Sequence, residues 1–228
     1  GMLLDELEAA GLAENTLVVF WGDNGASVFH GKCSCYDPGV QVPLLVRWPG
    51  RVKPGQVREE LVSTVDLMPT ILEAAGIAVP EGLAGRPLQP LLNGAAAPAW
   101  REHLFAEMNF HTADMYLPQR TVRDERFKLL VNLAPGAGQA PVELYDLEAD
   151  PGESKNLADQ PAYAHQRQQL ESALRKWREE TRDPLLDPAR LKRWNETGAR
   201  WKTSAPRLDR GPNPNVARVP AGELDLLE

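Results

Sequence analysis

The spacing of hydrophobic residues changes repeatedly along this chain, and each change marks an element. Leu3, Leu4, Leu7 and Ala10 recur at helical intervals ahead of Gly11, which predicts a short amphipathic helix closed by a glycine. The run Leu17-Val18-Val19-Phe20-Trp21 is too short for a helix, and its β-branched and aromatic residues suit a buried strand over 16–21. Gly22-Asp23-Asn24-Gly25 stops it abruptly as a turn. A second run, Val42-Pro43-Leu44-Leu45-Val46, reads as another strand closed by Trp48-Pro49-Gly50. Helix followed by strand is an α/β connection, and a sheet entered from the last turns of such a helix is expected to have more strands upstream.

Further along, Asp66 is placed to cap a helix with Pro69 in its first turn and Gly76 at its end. Ala95 to Ala99 reads as a linker, dividing the chain into 1–94, 95–184 and a tail over 185–228. Short strands are predicted over Glu102–Glu107, Arg120–Arg123, Arg126–Asn132 and Glu143–Leu147, with Asp124-Glu125 at a turn. Between Ala158 and Arg182, Tyr163, Leu170, Leu174 and Trp177 fall on one face of a long amphipathic helix, so Trp177 is expected to pack rather than stack on a ligand. The tail shows short helical potential only around Ala189–Trp194 and is otherwise expected to run extended over the surface.

Charge and composition narrow the function. A net charge of −7 over 228 residues, with Lys and Arg scattered among acids, argues against a nucleic-acid partner. No segment approaches the ~20 apolar residues that cross a bilayer, so no membrane partner is expected. Leu3-Leu4 is followed at once by Asp5 and Glu6, which does not read as a signal peptide. Cys33 and Cys35 are too close for an ordinary disulfide and too few for a zinc site, and read as free thiols.

The candidate chemistry lies where the first strand ends. Ligands of open α/β sheets bind at the carboxyl ends of strands, and Asp23 and Asn24 offer hard oxygen donors there, of the kind Ca²⁺ or Mg²⁺ prefers. Alone, Asp-Asn-Gly after a strand is an ordinary turn. Here it is followed by Gly31-Lys32-x-x-x-Tyr36 and then by the Pro43-led strand ending in Trp48-Pro49-Gly50. Downstream come Arg120-x-Val-Arg-x-x-Arg-Phe-Lys-Leu129 and Glu143-Leu-Tyr-Asp-Leu147-x-x-Asp-Pro-x-Glu153-x-x-Asn-Leu157.

That combination resembles the second half of the sulfatase family, within the alkaline-phosphatase-like superfamily. Tyr36-Asp37-Pro38-Gly39 and the run Lys176 to Pro184 are similar to the sulfamidase (heparan N-sulfatase) branch. The resemblance implies an α/β fold: the C-terminal part of an alkaline-phosphatase-like sheet sandwich, with a small antiparallel sheet subdomain packed by the long helix. It further implies that Asp23 and Asn24 bind calcium, that Lys32 contacts sulfate oxygens, and that His111 lies near a sulfated sugar. Asp150 and Glu153 read as turn and cap residues, His30 as a loop histidine, and Arg120 as an ion-pair partner rather than a substrate contact.

The family's nucleophile is a formylglycine made from Cys or Ser in Cys/Ser-x-Pro/Ala-x-Arg. Neither Cys33 nor Cys35 fits that pattern, and Ser204-Ala-Pro-Arg207 is out of register by one. The expectation is a sulfatase-family fragment that lacks turnover by itself. From a different class, the chain could be a non-catalytic binding or assembly module that forms an oligomer or pairs with an N-terminal partner chain. A phosphate- or phosphonate-specific hydrolase of the same superfamily fits the motifs less well.

Overall fold

The computed structural model describes residues 1–93, 100–111, 115–136 and 138–204, the side chains of 111, 115 and 199–204 excepted. The linker expected at Ala95–Ala99 and the tail beyond Ser204 lie outside the described residues.

Helix α1 (Met2–Ala9) leads through a 3-10 turn to β1 (Val18–Trp21), with Gly11 taking up the positive φ that ends α1. A short helix, α2 (Asp37–Val40), precedes β2 (Leu44–Arg47). The two strands pair antiparallel, from Val18 opposite Arg47 to Trp21 opposite Leu44. Pairing begins at Leu44 rather than Val42 because Pro43 has no N–H to give; its carbonyl instead accepts from the Gly22 N–H at 3.1 Å. On one face of the pair, Val19 and Leu44 pack on Leu67 of α3 (Leu67–Ala74), and on Leu88 and Leu91 at α4 (Gln89–Leu92). On the other face, Phe20 and Leu45 stand opposite each other and are 61% and 59% exposed, so the strand expected to be buried is covered on one side only.

Asp66 does not cap α3 with its side chain. Its carboxylate reaches back to the Ser63 N–H (2.8 Å) in a capping box around the preceding 3-10 turn. It also accepts from the Arg86 N–H and takes both arms of the Arg101 guanidinium at 2.5 and 2.6 Å. Ser63 is the cap of that turn and Asp66 its N3 partner, so the expected cap of α3 is corrected, and the residue ties three segments together.

Strands β3 (Leu104–His111), β4 (Met115–Arg123), β5 (Phe127–Asn132) and β6 (Val142–Asp146) form an antiparallel meander in that order. β3 and β4 are longer than expected. Pro118 reads as a strand breaker, but it falls where the β3–β4 register shifts, between Met108 and Phe110, and no ladder bond needs its missing N–H. Alternation gives the sheet two unlike faces. Val122, Leu129 and Leu144 point toward α5 (Ala164–Glu180) and meet Leu170 and Leu174, with Trp177 stacked flat on Phe105 at 5.1 Å. Gln119, Lys128, Leu130, Asn132, Glu143 and Tyr145 point the other way, and this face is polar yet buried.

Past α5, Asp183 accepts from Arg120 Nε (2.8 Å), Arg120 Nη2 (3.0 Å), Arg178 Nε (2.6 Å) and the Leu185 N–H (2.9 Å). Burial alone would push the Asp183 carboxyl up, but these donors outweigh it and hold it at about 2. The ion-pair reading of Arg120 is thus the observed one. The helix expected over Ala189–Trp194 is the longer α6 (Pro188–Ser204), anchored by Trp194 in a cluster with Tyr116 and Leu185.

Candidate functional site

The segment between β1 and α2 is folded tightly upon itself. In the turn, the Asn24 N–H donates to Asp23 Oδ1 (2.9 Å) and Asn24 Nδ2 donates to the Gly25 carbonyl (2.8 Å). That second bond uses the amide nitrogen, so any ligand role of the side chain falls to Asn24 Oδ1. Gly25 donates to the Gly39 carbonyl at 3.0 Å, and a Cβ on it would lie 1.8 Å from the Pro38 oxygen, so only glycine permits this closure. The loop's start and end are therefore locked together. Within it, the Lys32 N–H donates to the Ala26 carbonyl (2.8 Å), and Ser34 Oγ donates to the carbonyls of His30 and Gly31. His30 and Cys33 take positive φ (56° and 76°), a cost the surrounding bonds offset. The His30 ring is stacked between Phe29 (3.9 Å) and Tyr36 (3.7 Å), and burial lowers its pKa against the opposing charge of Glu143.

The polar face of the four-stranded sheet receives this loop. The Cys35 N–H donates to Gln119 Oε1 at 2.9 Å, and Tyr36 Oη donates to Glu143 Oε2 at 2.7 Å. Glu143 also accepts from Tyr145 Oη (2.6 Å) and Asn132 Nδ2 (2.8 Å). The Asp37 N–H donates to Glu153 Oε2, while the Asp37 carboxylate pairs with Lys128 Nζ (2.7 Å) and Arg123 Nη1 (3.0 Å). Lys128, 1% exposed, also meets Glu153 at 2.9 Å, which offsets the burial of both charges. Burial raises the Glu153 carboxyl, with Lys128 opposing. Glu153 is accordingly not the turn-and-cap residue its Asp-Pro-x-Glu context suggests: its carboxylate is buried and bonded to a residue 116 positions earlier. Asp150 does act as a turn residue, accepting from the N–H groups of Ser154 and Lys155. Burial pushes the Cys35 thiol up to about 12, so it is inert, and both cysteines are free.

Asp23 and Asn24 line a cleft of about 1140 Å³ between the two-stranded pair and the small sheet, together with Asp37, Glu60, Arg123 and Lys128. Asp23 is exposed and Asn24 half-buried. As hard oxygen donors on adjacent residues, they fit two positions of a calcium shell that takes about 6–8 oxygens. No group of three His, Cys, Asp or Glu among the described residues could complete it. Lys32 is exposed on the same loop, does not line the cleft, and has no ion pair among the described residues. His111 ends β3 opposite Met115, and only its backbone is described. The loop carries Asp23, Asn24 and Lys32 on one hydrogen-bonded segment, of which Asp23 and Asn24 line the cleft and Lys32 does not, while His111 stands on a separate strand.

The residues that sequence reasoning missed are Gln119, Glu143 and Glu153, the loop's anchors. The signal was present as polar side chains on one face of strands whose other face is apolar, as in Lys128 and Asn132 and then Glu143 and Tyr145, with Leu130 the exception on that face.

Comparison with known proteins is consistent with this geometry. The family described as N-sulphoglucosamine sulphohydrolase, C-terminal, matches residues 25–180. Human N-sulphoglucosamine sulphohydrolase is 35% identical over 233 residues, covering 82% of this chain and 46% of that protein. A solved 2-O GAG sulfatase superposes with a TM-score of 0.70 at 30% identity, over 79% of this chain and 40% of its own. The phosphonate monoester hydrolase of Silicibacter pomeroyi superposes with a TM-score of 0.67 at 29% identity, over 78% and 38%. The chain spans less than half the length of each of these proteins. By motif, sheet order and match alike, it belongs to the sulfatase family, in the group defined by the C-terminal part of N-sulphoglucosamine sulphohydrolase.

Proposed function

We propose that this chain supplies the cation- and sulfate-holding part of a sulfatase active site acting on a sulfated amino sugar, as an O-sulfate ester or an N-sulfate of a glycosaminoglycan. The observation that supports the reading is the hydrogen-bonded loop, whose residues Asp23 and Asn24 line the cleft and which also carries Lys32. In this reading Asp23 and Asn24 are two of the oxygen ligands of a calcium ion. Such an ion neutralises charge on sulfate oxygens when bound. The Lys32 ammonium donates to a sulfate oxygen and stabilises charge that builds there as the bond to sulfur breaks. His111 at the end of β3 contacts the sugar. No residue of the chain fits the formylglycine nucleophile motif, so no attack step is assigned to it. The chain alone hydrolyses nothing and requires a nucleophile from elsewhere.

The name and match of the human sulfohydrolase favour an N-sulfated glucosamine over other sulfated sugars. The test is turnover of N-sulfoglucosamine by the purified chain, alone and with the N-terminal half of a sulfatase relative. Sulfate release only in the mixture, lost on Lys32→Ala, supports the reading. Release by the chain alone would refute the assignment of the nucleophile elsewhere.

A second reading has its own observation. Phe20 and Leu45 on the open face of the two-stranded pair, and Met68 and Ile71 on α3, are all at least half exposed. Apolar patches of that kind mark association surfaces, which suits an assembly module that pairs with itself or with an N-terminal partner chain. Light scattering of the purified chain tests it, and a clean monomer at micromolar concentration counts against it.

A further inference from the structure

The buried polar face of the small sheet and the turn that follows β6 touch three consecutive residues of the loop, one anchor for each: two on strands and Glu153 on the turn. Gln119 takes the N–H of Cys35, Glu143 takes the hydroxyl of Tyr36, and Glu153 takes the N–H of Asp37. All three lie on the face turned away from α5, where Leu130 and Tyr145 also pack against Cys35 and Tyr36. All three are made by side chains that are nearly inaccessible to solvent. Glu143 is further aimed by its neighbours: Asn132 occupies Oε1 while Tyr145 shares Oε2, so the carboxylate has one orientation in which Tyr36 can be received. Gln119 is aimed in the same way, because its Nε2 donates to Asn132 Oδ1 at 2.9 Å and so turns Oε1 toward Cys35.

From these anchors the constraint passes in two directions along the loop. Tyr36 carries the stacked His30 ring, and the turn holding Asp23 and Asn24 ends at Gly25, five residues before that ring. Gly39, just past Asp37, accepts from Gly25, next to Asn24. Fixing residues 35–37 therefore fixes Lys32 on one side and the Asp23–Asn24 pair on the other.

We infer that Glu143, seconded by Gln119 and Glu153, is a positioning residue for Lys32 and for the Asp23–Asn24 pair, so that the small sheet acts as a template for the site and not only as a packing partner. The inference rests on the site assignment made above for those three residues. It does not depend on which sulfated sugar is bound.

Every partner of Glu143 is a donor: two phenol hydroxyls and an amide nitrogen. Glu143→Gln places an NH₂ against one of them, and the Asn132 side chain is held by Gln139 and Gln119 and does not turn to compensate. The two free cysteines report the consequence directly. Cys35 is 1% exposed and Cys33 is partly exposed, so a thiol reagent applied to the native chain meets one accessible and one hidden sulfur.

The experiment is the rate of thiol labelling by 5,5′-dithiobis(2-nitrobenzoate) on the full chain, with backbone amide NMR shifts read in parallel. The wild type labels in two phases separated by at least about 100-fold. Glu143→Gln speeds the slow phase at least tenfold and moves the amide resonances of Asp23, Asn24 and Lys32. Tyr36→Phe, which removes the hydroxyl while keeping the ring, does the same in a chain whose sheet is untouched, should Glu143→Gln fail to fold. Trp177→Phe, which loosens the opposite face of the sheet, leaves both readouts at their wild-type values. An unchanged slow phase in both loop variants, or an equal acceleration in Trp177→Phe, overturns the inference. Anchoring that behaves as expected in a chain that never supports sulfate release with a complementing half would instead remove the proposed function and leave the template standing.

Discussion

Replacing Asp183 with asparagine tests the charge arrangement that holds the end of α5 to the sheet. The carboxylate is about 1% exposed and neutralises Arg120, itself 1% exposed, along with Arg178. Asparagine keeps the shape but removes the charge, and it turns an NH₂ toward guanidinium nitrogens that also donate. Breaking a buried pair by neutralising one partner costs about 3–5 kcal/mol. Glu107 remains 3.3 Å from Arg120 Nε but is half-exposed, so it offsets part of the loss and about 3 kcal/mol is expected. For a chain of this size that corresponds to a fall in Tm of about 6–12 °C. The pH dependence adds a second signature. The Asp183 carboxyl sits at about 2 when folded, against about 3.9 in an unfolded chain. Its contribution is fully present above about pH 4 and is lost as pH falls toward 2, so the gap between wild type and variant narrows by roughly 2 kcal/mol across that window. Urea denaturation at pH 7, 4 and 2.5 reads both. A gap below 1 kcal/mol at pH 7, or one that stays constant down to pH 2.5, would refute the reasoning. Arg120→Met combined with Asp183→Leu should recover only part of the loss, because the apolar pair removes the buried Arg120 charge but leaves Arg178 and the Leu185 N–H without their acceptor.

Three further outcomes follow from the geometry. Gly25→Ala forces a Cβ against the Pro38 carbonyl, and should cost about 1–3 kcal/mol in thermal denaturation while opening the loop to proteolysis between residues 25 and 39. Trp177→Ala removes the flat stack on Phe105 and about 3 kcal/mol of stability in urea, leaving thiol labelling of the loop unchanged. Calcium should bind the chain only at about 10⁻⁴–10⁻³ M or more weakly by isothermal titration, because two side-chain oxygens leave most of the shell to water, and Asp23→Ala should abolish even that. Micromolar binding would mean that the chain holds ligands beyond Asp23 and Asn24.

Much of the fold is written in local patterns. β5 and β6 are legible because Phe127, Leu129 and Val131, then Val142 and Leu144, recur at every second position, and α5 because Leu170, Leu174 and Trp177 share a stripe. Where reading by pattern went astray, the deciding contact was distant. Glu153 looks like a turn residue because its neighbours are Asp, Pro and Gly, yet its partner Asp37 is far upstream. Phe20 and Leu45 look buried because their run is apolar, and nothing local says that one face of that pair stays open. α6 is hidden because Lys, Arg and Gly198 break its periodicity; Gly198 is there since a Cβ would strike the Tyr116 ring at 2.2 Å. The site divides in the same way. Asp23, Asn24 and Lys32 are legible as a motif, while the side chains that aim them lie on strands whose polar face reads as solvent-facing until the loop is seen to cover it.

The anchors of the loop also set an order of events. Cys35, Tyr36 and Asp37 are bonded to residues 84, 107 and 116 positions later in the chain. At a synthesis rate of about 5–20 residues per second, Tyr36 leaves the ribosome some ~5–20 s before Glu143 exists to receive it. Helix α5 and the strands beneath it are close in sequence, but the loop bearing Asp23, Asn24 and Lys32 must wait for the last strand of the sheet and the turn after it to complete its anchoring. The residues made first are therefore shaped last. A nascent chain stopped before Val142 should carry every residue of the motif and the loop's local bonds, but lack the anchors at Glu143 and Glu153.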